Sequence, residues 1–198
     1  MIHPNTRVQY INDQIGWGVF ATDFLPMGTI IYVKDQLEIS ITPDAFHKFD
    51  PLLQDAIEKY SYLENQGNRI ISWDHAKYVN HCCDSNTMST GYGFEIAIRD
   101  IFPDEEITDE YGLFNVSENM TLQCDKPNCR QILKTNDIDA YFENWDQKVR
   151  RALPRILNVC QPLFHLLDSR TTEQIADFLA DQNSYVSIRS LKFEQKNK

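Results

Sequence analysis

The runs YVNHCCDSN at residues 78–86 and DEEITDEYG at residues 104–112 decide how this chain is read. In the first, Asn80, His81, Cys82 and Cys83 stand where a buried strand would be aliphatic. Polar side chains packed this closely require specific partners. His81 and Cys82 are sequence neighbours and point to opposite faces of a strand, which disfavours a Cys-His nucleophile pair. In the second, six carboxylates fall between Asp100 and Glu110, directly before Tyr111. That pattern reads either as a turn carrying solvated charge or as an electronegative mouth beside a tyrosine.

The rest of the chain sets bounds on both runs. With 198 residues, 42% hydrophobic and 23 of them aromatic, it is long enough for one packed domain with an appendage. No apolar run approaches the roughly 20 residues that span a bilayer. The opening MIHPNTRVQY has neither the charged nor the apolar region of a secretory leader, so the expectation is a cytoplasmic protein without membrane attachment. Five cysteines, an odd number, do not suggest a disulfide framework and leave metal ligation or burial.

Charge and glycine divide the chain at one place. Residues 1–112 carry 7 Lys and Arg against 18 Asp and Glu, and the remainder carries 12 against 11. All seven glycines lie at or before Gly112. The division separates a turn-rich β region from a helical one. The acidic field argues against nucleic acid and suits a cationic ligand, although net charge also serves solubility.

Within the β region, a strand from Val8 leads through a turn at Asn12 and Asp13 to GWGVF, read as a loop whose Gly16 and Gly18 flank Trp17. Strands follow at 29–33 and 37–41. Residues 43–62 change to helical spacing behind Thr42 as an N-cap, with Tyr60 and Tyr62 as core or site-lining aromatics. Strands return at 69–73 and at 91–100, where Phe94, Ile96 and Ile98 share a face. After Gly112, Cys124 and Cys129 form a Cys-x4-Cys knuckle around Pro127 and Asn128, half of a zinc site. Residues 138–152 trace an amphipathic helix behind Asn136, ended by Pro154. A further helix begins at Thr171, and the final KFEQKNK reads as frayed.

In order along the chain, GWGVFA (16–21), PMGTII (26–31), YVNHCCDSN and EEITDEYG together resemble the SET domain of protein lysine methyltransferases. The resemblance covers about residues 5–133 when the knuckle is counted as a post-SET segment. It implies a mainly β fold with α, a pseudoknot of short sheets over residues 5–112 and a post-SET-like segment at 113–135; outside the resemblance, a helical segment at 136–198 is expected to pack on or beside the core. It also implies S-adenosylmethionine as cofactor and methyl transfer to lysine ε-amines of a basic protein such as a histone tail. By the same resemblance Tyr111 is the catalytic tyrosine. Gly16, Trp17, Gly18, Asn80, His81, Tyr111 and Gln123 hold the cofactor, and Asp109 belongs to the substrate channel; outside the resemblance, Tyr60 and Tyr141 are expected to line that channel. Cys83, Cys124 and Cys129 match three zinc ligands, with Cys82 or water as the fourth.

Departures accompany this likeness. Asp109 stands where the family usually has the phenylalanine or tyrosine associated with methylation number, and Leu122 stands where a zinc-binding cysteine is expected. These two residues motivate one alternative, a non-catalytic SET-like module binding a basic peptide or partner protein; a zinc-knuckle interaction protein is a third reading, which requires stoichiometric metal. The helical segment is expected to bury against the core. It could instead close the lysine channel with Tyr141 or Trp145, or form a homodimer interface. A histone target would imply a nuclear or host-delivered protein.

Overall fold

A hairpin begins the fold: β1 (Thr6–Asn12) pairs antiparallel with β2 (Gly16–Ala21). The expected GWGVF loop is therefore a strand. Val19 and Ala21 share a buried face with the half-buried Phe20 between them on the other, while Trp17, at the strand's start, is exposed. Gly16 has φ +85°, a conformation that glycine supplies without a steric penalty at the hairpin turn. The structure is a computed structural model that describes residues 1–124 and 126–194. Asp125 of the knuckle and residues 195–198 of the expected frayed tail lie outside the described residues.

After the hairpin come β3 (Ile30–Val33), β4 (Ile39–Ile41), α1 (Pro43–Phe46), α2 (Pro51–Tyr60), β5 (Ser61–Leu63) and β6 (Arg69–Ile71). Thr42 caps α1 by accepting from the Ala45 amide, and Asp50 caps α2 by accepting from the Leu53 amide. Both helices start with proline, whose missing N–H is harmless in a first turn. The chain continues through β7 (Asn80–His81), β8 (Thr87–Ser89), β9 (Phe94–Ala97) and β10 (Glu106–Asp109). It then passes through β11 (Met120–Thr121) and β12 (Ile132–Leu133) to α3 (Asp137–Ala152) and α4 (Ser169–Ala180). Asp168 caps α4, three residues before the expected start at Thr171.

Four small sheets result, ordered β1-β2-β10-β7, β3-β9-β8, β4-β6-β5 and β11-β12. The first sheet brings the two polar runs together. β10 lies antiparallel to β2 and parallel to β7, with Thr108 opposite Asn80 and Asp109 opposite His81. The buried Asn86 side chain fastens the join, accepting from the Thr108 amide at 2.9 Å and donating to the Glu106 carbonyl at 2.8 Å. Because β10 runs between two strands, its charge is not a solvated turn: Asp109 is 0% exposed and Glu110 2%.

The helical segment covers the second sheet. Trp145 and Val149 of α3 and Ile175 and Phe178 of α4 pack with Ile30, Met88, Phe94 and Ile96 in the largest buried cluster. Burial of side chains this size contributes about 1.5–3 kcal/mol each. α3 also fixes the end of the second polar run, since a Cβ on Gly112 would come within 2.6 Å of the Trp145 ring. Among the described residues no helix is long and apolar enough to cross a membrane.

Candidate active site

Tyr111 follows β10 directly, and its position is fixed from three sides. Its hydroxyl donates to the Val79 carbonyl at 2.6 Å, and its amide donates to His81 Nδ1 at 3.2 Å. The Glu110 side chain accepts from the Gly112 amide at 2.9 Å, capping the short 3-10 turn that contains the tyrosine. Glu110 is itself held by Arg130 at 2.6 Å, and Arg130 reaches Asp137 at 3.5 Å, tying the tyrosine to the knuckle and to α3. Burial, and then the nearby charges of Asp109 and Glu95, push the Tyr111 phenol well above its ordinary range. It therefore stays protonated and acts as a hydrogen-bond donor. Burial, reinforced by Arg130, lowers His81 to about 4, so its ring is neutral and its Nδ1 accepts.

Tyr111 opens on a cavity of about 710 Å³ whose wall also includes Tyr60, Tyr62, Val79, Asp109 and Phe114. Such a volume lies in the range of small-ligand sites. Of the expected channel residues, Tyr60 and Asp109 are at this cavity. Tyr141 is not among its lining residues. It is exposed, with its ring 5.6 Å from that of Trp145 and Arg130 over its face at 5.1 Å. Trp145 is buried in the core beneath it. The expected acidic mouth is also altered, because Asp109 and Glu110 are interior groups.

Of the residues expected at a cofactor, Tyr111 is at the cavity, whereas Asn80 and Gln123 are tied to the β1–β2 hairpin. Asn80 Nδ2 donates to the Trp17 carbonyl at 3.0 Å and to Glu106 Oε1 at 2.8 Å, binding the GWG strand to the first polar run. The strand is closely packed at Gly18, where a Cβ would lie 2.6 Å from the tip of Ile11 and 2.7 Å from that of Glu106, so both side chains would have to shift. Gln14 donates to Gln123 Oε1 at 2.7 Å, bringing the knuckle segment onto the hairpin beside the exposed Ile15 and Trp17. Trp17 is exposed, with its ring edge-on to that of Tyr10 at 5.5 Å.

The sulfur atoms of Cys83, Cys124 and Cys129 all lie within 4.8 Å of one another, with Cys83 and Cys129 at 3.9 Å. Tetrahedral zinc with Zn–S near 2.3 Å places sulfurs at about this separation, so the three fit a zinc ion. Amides of Arg130 and Gln131 donate to Cys83 and Cys129 at 3.4 and 3.2 Å, as they would to thiolates. Cys82 lies 4.0 Å from Cys124 but falls outside the mutual cluster. Leu122 is buried at the position of the missing cysteine. Glu95, which sequence reasoning passed over, also lines the cavity beside Asp109.

Residues 16–112 match the family model of the SET domain. Among solved structures, the chain is similar to a Plasmodium falciparum protein described as a candidate histone methyltransferase, at 19% identity and a TM-score of 0.40. That likeness covers 56% of this chain and 95% of the other. It is also similar to the methyltransferase domain of the human histone-lysine N-methyltransferase SETMAR, at 17% identity and a TM-score of 0.44. There 67% of this chain and 58% of the other are covered. No curated protein matches the chain.

Proposed function

Residues 16–112 being a SET domain, we infer that the chain is a protein lysine methyltransferase that uses S-adenosylmethionine and acts on a basic protein such as a histone. The single observation that carries this reading is the placement of the Tyr111 hydroxyl. It sits at the wall of the cavity, anchored to the Val79 carbonyl, one residue from the Asn80–His81 strand that borders the expected cofactor site. The cofactor supplies a sulfonium-activated methyl group.

What the chain's own residues do follows from their states. A lysine ε-amine has a reference pKa of about 10.4 and reacts only when deprotonated, which an apolar, desolvated cavity favours. Tyr111 gives its proton to the Val79 carbonyl, so its oxygen accepts from an amine N–H and leaves the lone pair free to approach the methyl group. The Val79 carbonyl fixes the phenol in place. Asn80, Trp17, His81 and Gln123 form the cofactor's bed, and the acidic surface of residues 1–112 draws in a Lys/Arg-rich segment. Zinc, where bound by Cys83, Cys124 and Cys129, would pin the segment carrying Gln123 and Arg130 against β7.

Incubation with radiolabelled S-adenosylmethionine and a panel of histones and total lysate proteins tests the reading. Label on lysine, located by mass spectrometry, is the expected result. Well-folded protein that binds no S-adenosylmethionine by calorimetry would favour a non-catalytic module, the reading that Asp109 and Leu122 motivate.

A further inference from the structure

On β7 the two side chains part: Asn80 is bound to the hairpin, whereas the His81 ring turns inward, its side chain 6% exposed, between Tyr111 and the cysteine cluster. Its two nitrogens have different partners. Nδ1 lies 3.2 Å from the Tyr111 amide, and Nε2 lies 3.4 Å from the Cys83 sulfur. A peptide N–H can only donate, so Nδ1 accepts and carries no proton. The one ring proton is therefore on Nε2, where it points at sulfur. A protonated nitrogen is no metal ligand, and Nε2 stands outside the mutual cluster of Cys83, Cys124 and Cys129.

Cys83 is joined to the tyrosine by two routes. Through His81 its sulfur reaches the Tyr111 amide. Through the Arg130 amide, 3.4 Å away, it reaches a guanidinium that holds Glu110, and Glu110 accepts from the Gly112 amide at 2.9 Å. Both amides belong to the 3-10 turn Tyr111–Leu113, so the backbone end of the phenol hangs on one sulfur. The other end is fixed by the Val79 carbonyl. The first route is the shorter, a single ring. Its two nitrogens have no rotatable bond between them, so a displaced sulfur carries the Tyr111 amide with it.

We propose that His81 is a positioning residue, whose ring couples metal at the cysteine cluster to the place of the Tyr111 phenol, rather than a residue that holds the cofactor with its side chain. The coupling stands on geometry alone, and its consequence for catalysis rests on the methyltransferase reading. Metal pins the sulfur and holds it as a thiolate, to which an N–H bond is charge-assisted. Without metal the Cys83 side chain is free to turn, and the ring loses its fixed end. With both ring nitrogens taken, only the backbone of His81 is left for the cofactor.

NMR reads the coupling without a turnover. In zinc-loaded protein with isotope-labelled histidine, the His81 ring should carry its proton on Nε2, identified as the signal that His81→Asn and His81→Gln remove. With an NMR-active cadmium isotope in place of zinc, that proton should couple to the metal through sulfur, and the exchange of metals should shift the Tyr111 amide. The two variants split the ring. His81→Asn keeps an acceptor at the place of Nδ1 and stops short of Cys83, whereas His81→Gln keeps a donor at the place of Nε2 and no acceptor for Tyr111. In both, the Tyr111 amide should respond much less to the metal, and kcat should fall about ten-fold while S-adenosylmethionine affinity stays within a few-fold. A merely structural role would lower stability and leave the ring proton uncoupled from the metal. A proton on Nδ1, a Tyr111 amide that ignores the metal, or a wild-type chain that takes up no zinc would overturn the proposal. So would variants whose loss is mainly in S-adenosylmethionine affinity. Metal coupling in a wild-type chain that binds no S-adenosylmethionine by calorimetry would sink the methyltransferase reading and leave the coupling standing.

Discussion

The Tyr111 hydroxyl donates to the Val79 carbonyl at 2.6 Å, joining the two polar runs at the point where the cavity meets the β7–β10 pairing. A phenol anchored on a backbone carbonyl has a fixed direction. Such fixing converts a weakly polar group into one that positions a reactant.

Arg130 is the second joint of the site. Its guanidinium is bound by Glu110 and Asp137, both nearly fully buried. Arg130→Met would keep the side-chain volume but leave two interior carboxylates without a cation. The expected loss is about 3–5 kcal/mol of stability, because an uncompensated buried charge costs that much. Denaturant unfolding of the variant measures it, and a loss below about 1 kcal/mol would show the network to be dispensable.

Acid should loosen the fold through its buried histidines. His3 and His81 are both lowered to about 4 by burial, well below the unfolded value of about 6.5. Below 6.5 the unfolded chain binds protons that the folded chain refuses, so their contribution is complete above pH 6.5 and falls as pH drops toward 4. Burial raises Glu95 and Asp109, which work in the opposite sense, so the histidine contribution is read by difference. From pH 7 down to 4.5 the melting temperature of a His81→Gln variant should gain on that of the wild type, and a constant difference would remove His81 from the account.

The cysteine cluster predicts a metal dependence confined to three residues. Zinc measured by elemental analysis should fall on Cys83→Ser, Cys124→Ser or Cys129→Ser. It should be unchanged on Cys160→Ser, because Cys160 is exposed and outside the cluster. Chelation should lower the melting temperature of the wild-type chain and leave that of the three ligand variants unmoved. Metal-free wild-type protein that melts where the untreated protein does would contradict a structural ion.

Much of this was legible in the residues. The alternation of Phe94 and Ile96, the cap Thr42 and the ordered motifs from Gly16 to Gly112 specify strands, a helix start and a shared site. The strand character of GWGVFA was hidden because glycines ordinarily mark turns, whereas here Gly18 allows close approach of Ile11 and Glu106. Charge was misread for a related reason. Asp109 and Glu110 look solvated in a run of six carboxylates, yet β10 lies between β2 and β7 and carries them inward. Tyr141 carries no local mark that tells a cavity wall from a surface stack, since only the packing of Trp145 under α3 decides it. Glu95 was invisible, because only the fold brings it to the wall of the cavity that holds Tyr111, which local spacing does not encode.

The central claim is that Tyr111 positions the amine for methyl transfer, and one variant tests it. Tyr111→Phe removes the hydroxyl bound to Val79, should cost only about 1 kcal/mol of stability, and should leave S-adenosylmethionine binding within a few-fold of the wild type. Radiolabelled methyl transfer to the best protein substrate should then fall by at least about a hundred-fold. A Tyr111→Phe protein that binds the cofactor and transfers methyl groups at the wild-type rate would contradict the account.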